Sequence, residues 1–320
     1  MRLSIPLILC GFLTGTPGQE DVRTAAAPTA PAGSGSENEI IVELDGFRPL
    51  HLQRGEELVY TVHVGFGIVA ASVGKVVLST GTEPYRESVL LLGSNHEEDE
   101  RETVWMRAYA KGTFEWYSMD ATIESRLHPV DWPQIVYTRV HRGGAGRRRQ
   151  LLIGTQEGNP FVRYRRDTST GAPRGTRIWK QPKERELPAA ALDMLTSIYY
   201  ARTLIRENLY SMRFPLVDKT DLWQIDLRRG KIEVQETYAG DFDSVELTFE
   251  PKAYSGEKLE KEAQFEGLFG IHGSIHLWVD SKTGVPVRVQ GDLPIGPFDL
   301  GIDVILKSYR GTPVDFRPRR

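Results

Sequence analysis

Residues 187–205, LPAAALDMLTSIYYARTLI, are the stretch that decides the fold. Apolar residues recur there at spacings of three and four, a pattern that predicts an α-helix. Pro188 suits the first turn of such a helix, where its missing N–H costs nothing. We predict a helix over about 187–206. Because apolar side chains cover most of its surface, we expect it to be buried on several sides.

Three strongly polar residues interrupt the apolar surface of this segment: Asp193, Ser197 and Arg202. Polar groups inside a protein are nearly always hydrogen-bonded. Each of the three is therefore expected either to meet a buried polar partner or to mark the side of the helix that faces an opening.

The remainder of the folded chain alternates like β-strands. In residues 58–66 apolar side chains occupy every second position, which is the period of a half-buried strand. Similar segments recur between glycine-bearing or charged turns, such as SKTG at 281–284. We predict a mainly β fold, a large antiparallel sheet curled into an open or closed barrel, with one buried or capping helix at about 187–206. No long linker interrupts residues 40–310, so a single β-barrel-like domain is expected there.

The N-terminus has the pattern of an export signal. Arg2 precedes a short apolar run and then small residues, which predicts a signal peptide over 1–18. Residues 19–39 are rich in Ala, Pro, Gly and Ser and predict a disordered linker, and 311–320 are expected to form a flexible tail. The expected location is periplasmic or outer-envelope associated. No segment is apolar for long enough to span a bilayer as a helix.

The single cysteine, Cys10, lies inside this signal. Lipidation of Cys10 is disfavoured because bulky Leu9 stands where a bacterial lipoprotein should have a small residue. Without Cys10 the mature chain has no thiol, which excludes disulfides, cysteine metal sites and cysteine nucleophiles.

No motif for catalysis, a metal or a cofactor stands out. The chain has neither a G-x-S-x-G elbow nor a glycine-rich phosphate loop between a strand and a helix. His272 and His276 are four residues apart, but on a strand that spacing separates them by roughly 13 Å, too far for one zinc ion. We therefore expect a non-enzymatic protein with no catalytic residue, no metal site and no cofactor.

Charge is distributed unevenly along the chain. The net charge is −3, yet residues 139–185 hold 13 Lys or Arg against 3 Asp or Glu, a local net of +10 that leaves −13 elsewhere. Such a region suits anionic lipid headgroups or an acidic partner, or simply solvated strand faces that discourage aggregation. An exported protein rarely meets nucleic acid, so none is expected. The candidate basic patch consists of Arg147, Arg148, Arg149, Arg163, Arg165, Arg166 and Arg177.

Three segments carry a resemblance to a known family: GEELVYTVHVGFGIVAASVG at 55–74, LDMLTSIYYAR at 192–202 and GSIHLWVDSKTGVPVRVQG at 273–291. Over roughly residues 52–309 the chain resembles the bacterial exported family catalogued as domain of unknown function 3108. The resemblance implies a curved antiparallel sheet, distantly similar to periplasmic lipoprotein carriers and other lipid-handling half-barrels. It implies no activity, and the Arg-rich insertion around 147–149 departs from it.

Our leading interpretation is an exported, non-enzymatic protein of the bacterial envelope that binds a lipid or other hydrophobic ligand in a cleft between sheet and helix. The sequence is compatible both with a helix that fills the concavity and with one that leaves a cavity beside it. The candidate ligand-binding residues are Met194, Leu195, Ile198, Tyr199 and Arg202. The alternative is a structural or interaction protein that docks an envelope partner through its basic face or a sheet edge. A hydrolase ranks third.

Overall fold

A computed structural model describes residues 38–44, 46–66, 69–85, 101–114, 117–127, 135–141, 147–169, 178–255, 265, 267–295 and 298–319. They belong to the compact unit Gly35–Arg320. The expected signal peptide at 1–18, Cys10 and nearly all of the expected linker at 19–39 lie outside the described residues.

Sixteen strands and one α-helix make up the described part of the chain. The strands of the first half are β1 Glu39–Val42, β2 Leu50–Gln53, β3 Glu57–Phe66, β4 Val69–Tyr85, β5 Arg101–Phe114, β6 Tyr117–Leu127, β7 Ile135–His141, β8 Arg147–Gln156, β9 Asn159–Arg166 and β10 Lys183–Glu186. After helix α1, Met194–Arg206, come β11 Ser211–Asp218, β12 Asp221–Thr237, β13 Gly240–Ala253, β14 His272–Asp280, β15 Pro286–Ile295 and β16 Phe298–Arg310.

Two antiparallel meanders join into one sheet. Strands β3 to β10 follow one another outward on one wing, α1 carries the chain across, and β11 to β16 return inward until β16 pairs with β3. The described residues thus form a 14-stranded sheet, while β1 and β2 pair separately. The alternation predicted for β3 is confirmed, because Leu58, Tyr60 and Val64 are buried on one face.

The sheet curls around α1. The helix contacts β5 and β6 on one wing and β11 at the far end of the other. Nine strand spacings separate β6 from β11, or about 43 Å in a flat sheet, whereas a helix is about 10–12 Å across. One helix can touch both only if the sheet bends. A mainly β fold with a curled antiparallel sheet and one buried helix is confirmed. Of the two forms expected, the described strands adopt the open one, since β10 and β11 end the sheet without pairing.

The helix is shorter than its apolar pattern predicted. It begins at Met194 rather than near Leu187, so Pro188 does not lie in its first turn. The preceding apolar run is buried as extended chain instead: the Leu187 N–H donates to the Pro160 carbonyl at 2.7 Å, and Leu192 bridges to Leu216. Apolar spacing alone cannot separate these two ways of burying a segment. Among the described residues no helix combines the length and apolarity needed to cross a bilayer.

Both ends of the sheet are protected against further pairing. Strand β10 has four residues, all charged (KERE), and short charged edge strands discourage strand addition. On β11, Leu192 covers part of the edge by donating to the Pro215 carbonyl at 3.0 Å and accepting from the Val217 N–H at 2.8 Å. These features weigh against docking through a sheet edge.

The C-terminal residues pack on the sheet, contrary to the expected flexible tail at 311–320. Phe316 is 2 % exposed, stacks on Phe242 with ring centroids 4.8 Å apart and meets Tyr309 edge-on at 4.7 Å. The Arg319 N–H donates to the Asp241 carbonyl at 2.6 Å. One aromatic residue in a polar sequence gives little signal, yet burying it anchors the segment.

Candidate functional site

Asp193 fixes the start of α1 inside the core. Its carboxylate accepts hydrogen bonds from the backbone N–H groups of Leu195 and Thr196 at 2.8 and 3.0 Å, which makes it the N-cap. The Ser125 hydroxyl on β6 donates to it at 2.6 Å, and the Thr196 hydroxyl at 2.5 Å. Burial raises the pKa of the Asp193 carboxyl, and these hydrogen bonds oppose the rise. The cap therefore ties the helix to the first wing of the sheet.

Arg202 fixes the other end of α1. Its guanidinium forms two hydrogen bonds with the Glu56 carboxylate, at 2.9 and 2.6 Å, and the two side chains are 3 % and 0 % exposed. The guanidinium also lies over the Tyr199 ring, 4.6 Å from its centroid. Gly284 in the β14–β15 turn approaches the Arg202 backbone so closely that a Cβ there would sit 3.0 Å from its Cα. The helix is thus held between two turns.

The three polar residues singled out in the sequence, Asp193, Ser197 and Arg202, all meet buried partners, one of the two outcomes expected. Asp193 and Arg202 do so as described, and the Ser197 hydroxyl donates to the Met194 carbonyl at 2.8 Å. None of the three marks an opening.

Of the five proposed ligand-binding residues, two line one of the two apolar cavities formed by the described residues. Met194 and Ile198, one helical turn apart, line an apolar cavity between α1 and the sheet. Leu195, Tyr199 and Arg202 lie on the neighbouring stripe of the helix and line neither this cavity nor the next. The reason is geometric, since residues four apart share a helix face whereas adjacent residues diverge by about 100°.

The first cavity, adjoining α1, has a volume of about 50 Å³ and an entirely apolar surface. Residues from both wings of the sheet close it, so it exists because the sheet curls. Its lining includes Tyr60 and Val76 from the first wing and Phe249, Ile275 and Leu277 from the second. The Tyr60 hydroxyl does not face it unpaired, because it donates to the Pro286 carbonyl at 2.9 Å.

The second cavity, of about 80 Å³, continues from the first away from the helix. The two share four lining residues: Val76, Phe269, Ile271 and Val304. Toward the sheet rim its walls are Val62, Val64, Met119 and Leu293. The two cavities are therefore adjacent, and Phe269 is one of the four residues that line both.

Phe269 adopts a strained backbone at the junction of the two cavities. It lies in the short 3-10 turn Leu268–Gly270 with φ of 59°, in the left-handed region that a bulky side chain rarely occupies. Holding such a residue costs about 1–3 kcal/mol, and strain of this kind concentrates at binding sites. The conformation places an aromatic ring, 6 % exposed, against both spaces.

The basic residues do not form one patch. Within β8 and β9, Arg148, Arg163 and Arg165 fall on one face of the sheet, while Arg149 and Arg166 face each other on the opposite one. Because side chains alternate between the two faces of a strand, arginines that are close in the sequence lie on opposite faces of the sheet. The Arg147 side chain and Arg177 lie outside the described residues.

Several of these arginines already have partners. Arg163 pairs with Glu184, while Arg165 donates to Gln150 at 2.7 Å and lies 4.3 Å from the centroid of Trp179. In the part of the chain that the structure describes, His, Asp and Glu side chains form no group of three suited to a metal ion.

Sequence reasoning missed most of this site. The cavity walls on the sheet belong to ordinary alternating strands, and nothing in those strands marks Val76 or Val304 as lining residues. Glu56 stands beside Glu57 in the chain and carries no signal of burial. One clue was available, because an arginine on an apolar helix requires a buried carboxylate, but 43 acidic residues could have supplied it.

The chain is similar to two solved structures and matches one family model. A candidate lipoprotein from Parabacteroides distasonis aligns at 12 % identity with a TM-score of 0.30, covering 81 % of this chain and 96 % of that one. A candidate exported protein with a YmcC-like fold from Bacteroides fragilis aligns at 9 % identity with a TM-score of 0.29 and the same coverages. Both scores are too low to support conclusions. A comparison with curated proteins finds no significant match. A family model matches residues 59–303, and the chain belongs to that family, described as "Protein of unknown function (DUF3108)".

Proposed function

We propose that this chain is an exported, non-enzymatic protein of the bacterial envelope that holds the hydrocarbon part of a lipid on its concave face. The observation that carries the proposal is the pair of adjacent apolar cavities between α1 and the sheet, which share four lining residues. Apolar cavities of this kind stay free of water and accept apolar guests. The export signal predicted over 1–18 supports the envelope location.

The proposal includes a movement of Phe269. Cavities of about 50 and 80 Å³ hold only a few methylene groups each, so a longer chain needs both. Phe269 lines both spaces and its left-handed backbone is strained. Moving the Leu268–Gly270 turn withdraws the ring from both cavities, joins them and lets the φ of Phe269 relax, which offsets part of the cost of opening the site.

Filling the junction is expected to abolish lipid binding. Val304→Phe places a ring where the two cavities meet, while the protein stays folded because the added volume enters existing space. The measurement is organic extraction of the purified full chain followed by mass spectrometry, with a thermal melt to verify folding. Wild type should yield about one lipid per chain and Val304→Phe less than about a tenth of that.

Val314→Phe is the matched control, because Val314 is 66 % exposed and far from the cavity lining. It should retain the wild-type lipid content. A wild-type extract without lipid would contradict the proposal, as would equal lipid in Val304→Phe.

A second candidate function is docking of an anionic envelope component at the rim of the concave face. Arg149 and Arg166 are directly opposed in β8 and β9, so two cationic side chains stand side by side there. Two residues along the strands, Leu151 and Tyr164 pack into the core on the same face. The adjacent positive charges at this rim suit an anionic partner.

Vesicle binding tests this second function. Arg149→Ser/Arg166→Ser should weaken binding to phosphatidylglycerol vesicles roughly thirtyfold, at about 1 kcal/mol per arginine. The matched control is Arg163→Ser/Arg165→Ser, which removes the same charge from the opposite face. If both pairs lose binding equally, attraction is unspecific and the docking function fails.

A further inference from the structure

The outer face of the sheet carries an open groove of about 750 Å³, whose lining mixes polar side chains with glycine and isoleucine. It runs over strands β3, β16, β15 and β14. Its volume lies within the range of about 300–1,000 Å³ typical of ligand sites. The function proposed above, on the concave face, makes no use of it.

A row of four side chains crosses the groove. His63, Asp303, Gln290 and His276 are directly opposed on the four adjacent strands, so they point to the same side. Three strand spacings make the row about 14 Å long. His and Gln side chains offer both donors and acceptors, and Asp offers acceptors. The row therefore presents mixed hydrogen-bonding capacity over an extended strip.

Two glycines beside this row leave open space above the strands that form the floor of the groove. Gly65 on β3 and Gly301 on β16 are directly opposed, two residues along from His63 and Asp303. A Cβ built at Gly301 meets no atom within 4 Å, so the space above the strand is open. The β-bulge between His272 and His276 widens the floor further on β14.

The β12–β13 hairpin supplies an aromatic wall. The Tyr238 N–H donates to the Leu306 carbonyl at 3.0 Å, which holds the hairpin tip against β16 beside a β-bulge. The Tyr238 ring stacks on His63, with its hydroxyl 3.0 Å from Nε2, yet the residue is 60 % exposed. An immobilised ring with an open face offers an apolar surface beside the polar row.

Neighbouring side chains hold Asp303 and His276 in place. Arg288 forms two hydrogen bonds with the Asp303 carboxylate, at 2.8 and 2.6 Å, and a third with Gln235 at 3.0 Å. His276 Nδ1 lies 2.6 Å from the Glu246 carboxylate. Among the described residues, the groove lining contains no Lys or Arg. This composition disfavours a phosphorylated or acidic ligand.

We propose that this outer groove binds a neutral oligosaccharide. Sugar hydroxyls both donate and accept, which matches the row of His, Asp and Gln side chains. The C–H face of a sugar ring packs on the exposed face of Tyr238, and the glycine floor admits the ring. A peptide strand is a poorer fit, because the backbone N–H and C=O groups of the floor strands are already hydrogen-bonded to neighbouring strands.

The test titrates the full chain with cellohexaose, laminarihexaose and chitohexaose, and with hexagalacturonate as the anionic comparison. Calorimetry measures affinity, and NMR of ¹³C-labelled histidine rings reports contact at His63 and His276. At least one neutral hexasaccharide should bind and shift both ring signals. Gly301→Trp, which fills the floor, should abolish binding without lowering the melting temperature. Tyr238→Ala should weaken binding about tenfold, the effect of one aromatic contact.

Tyr210→Ala is the matched control, since Tyr210 is 79 % exposed and lies on no part of the groove; it should bind as wild type does. Any of four results would overturn the proposal: no neutral hexasaccharide binds at millimolar concentration, only hexagalacturonate binds, Gly301→Trp binds normally, or Tyr210→Ala loses as much affinity as Tyr238→Ala. Lipid content, measured on the same samples, tests the function proposed for the concave face separately from these four results.

Discussion

Arg202→Met is expected to lower the free energy of unfolding by about 3–5 kcal/mol. The substitution leaves the Glu56 carboxylate, which is 0 % exposed, without its partner in the core. An unpaired buried charge is far more costly than the pair it came from. Glu56 also accepts a backbone hydrogen bond from Thr80 at 3.0 Å, so its turn cannot swing out to solvent without breaking further contacts. Urea unfolding followed by circular dichroism and tryptophan fluorescence measures the loss.

Arg206→Met is the matched control on the same helix. Arg206 is 32 % exposed and pairs with Glu39 at 2.6 Å, and partly exposed pairs contribute only about 0–1 kcal/mol. The double variant Glu56→Leu/Arg202→Met should recover most of the stability, because apolar side chains often replace a buried pair at little cost. If Arg202→Met costs no more than Arg206→Met, the pair does not clamp the helix.

Asp193→Ala is expected to cost about 2–4 kcal/mol. It removes the N-cap of α1, worth about 0.5–2 kcal/mol, and strips the buried Ser125 and Thr196 hydroxyls of their acceptor. Asp193→Asn keeps one side-chain oxygen and the shape, so it should cost less. Denaturant titration of both variants measures the difference, and equal costs would contradict a role for the hydrogen bonds.

The pH dependence of the Asp193 contribution has a defined sign. Burial raises the pKa of the Asp193 carboxyl in the folded protein above its ordinary value of 3.8. The folded state therefore holds the proton more tightly than the unfolded state, and this favourable contribution is complete below 3.8 and declines as the pH rises through the folded pKa. The stability of wild type relative to Asp193→Asn should thus be greater at about pH 3 than at about pH 7. The opposite trend would mean that the hydrogen bonds outweigh desolvation.

The spacing of apolar residues predicted a secondary-structure element correctly where only one conformation buries those residues on one face. The alternation in β3 buries Leu58, Tyr60 and Val64, and no other local structure places them on one face. The run 187–192 failed as helix because it could also be buried in extended form, and Leu192 pairs with Leu216. The choice between the two depends on β11, which comes later in the chain.

The candidate site was predicted only in part. The helix was expected to border a cleft, and Met194 and Ile198 do line a cavity, but their neighbours Leu195 and Tyr199 do not. Which stripe faces a cavity depends on where the two wings of the sheet meet the helix. The opposite wall, including Val304, comes from strands whose alternation looks like that of any other strand.

The sequence by itself determined the mainly β class, the presence and burial of the one helix, and the concentration of arginine in residues 139–185, because periodicity and composition are local properties. The tertiary structure alone decided that Glu56 is the partner of Arg202, that the arginines divide between two faces, and that cavities remain beside α1. Those features depend on how 14 strands curl around one helix. That curvature comes from contacts between residues that are distant in the sequence. A local sequence pattern carries no information about such contacts.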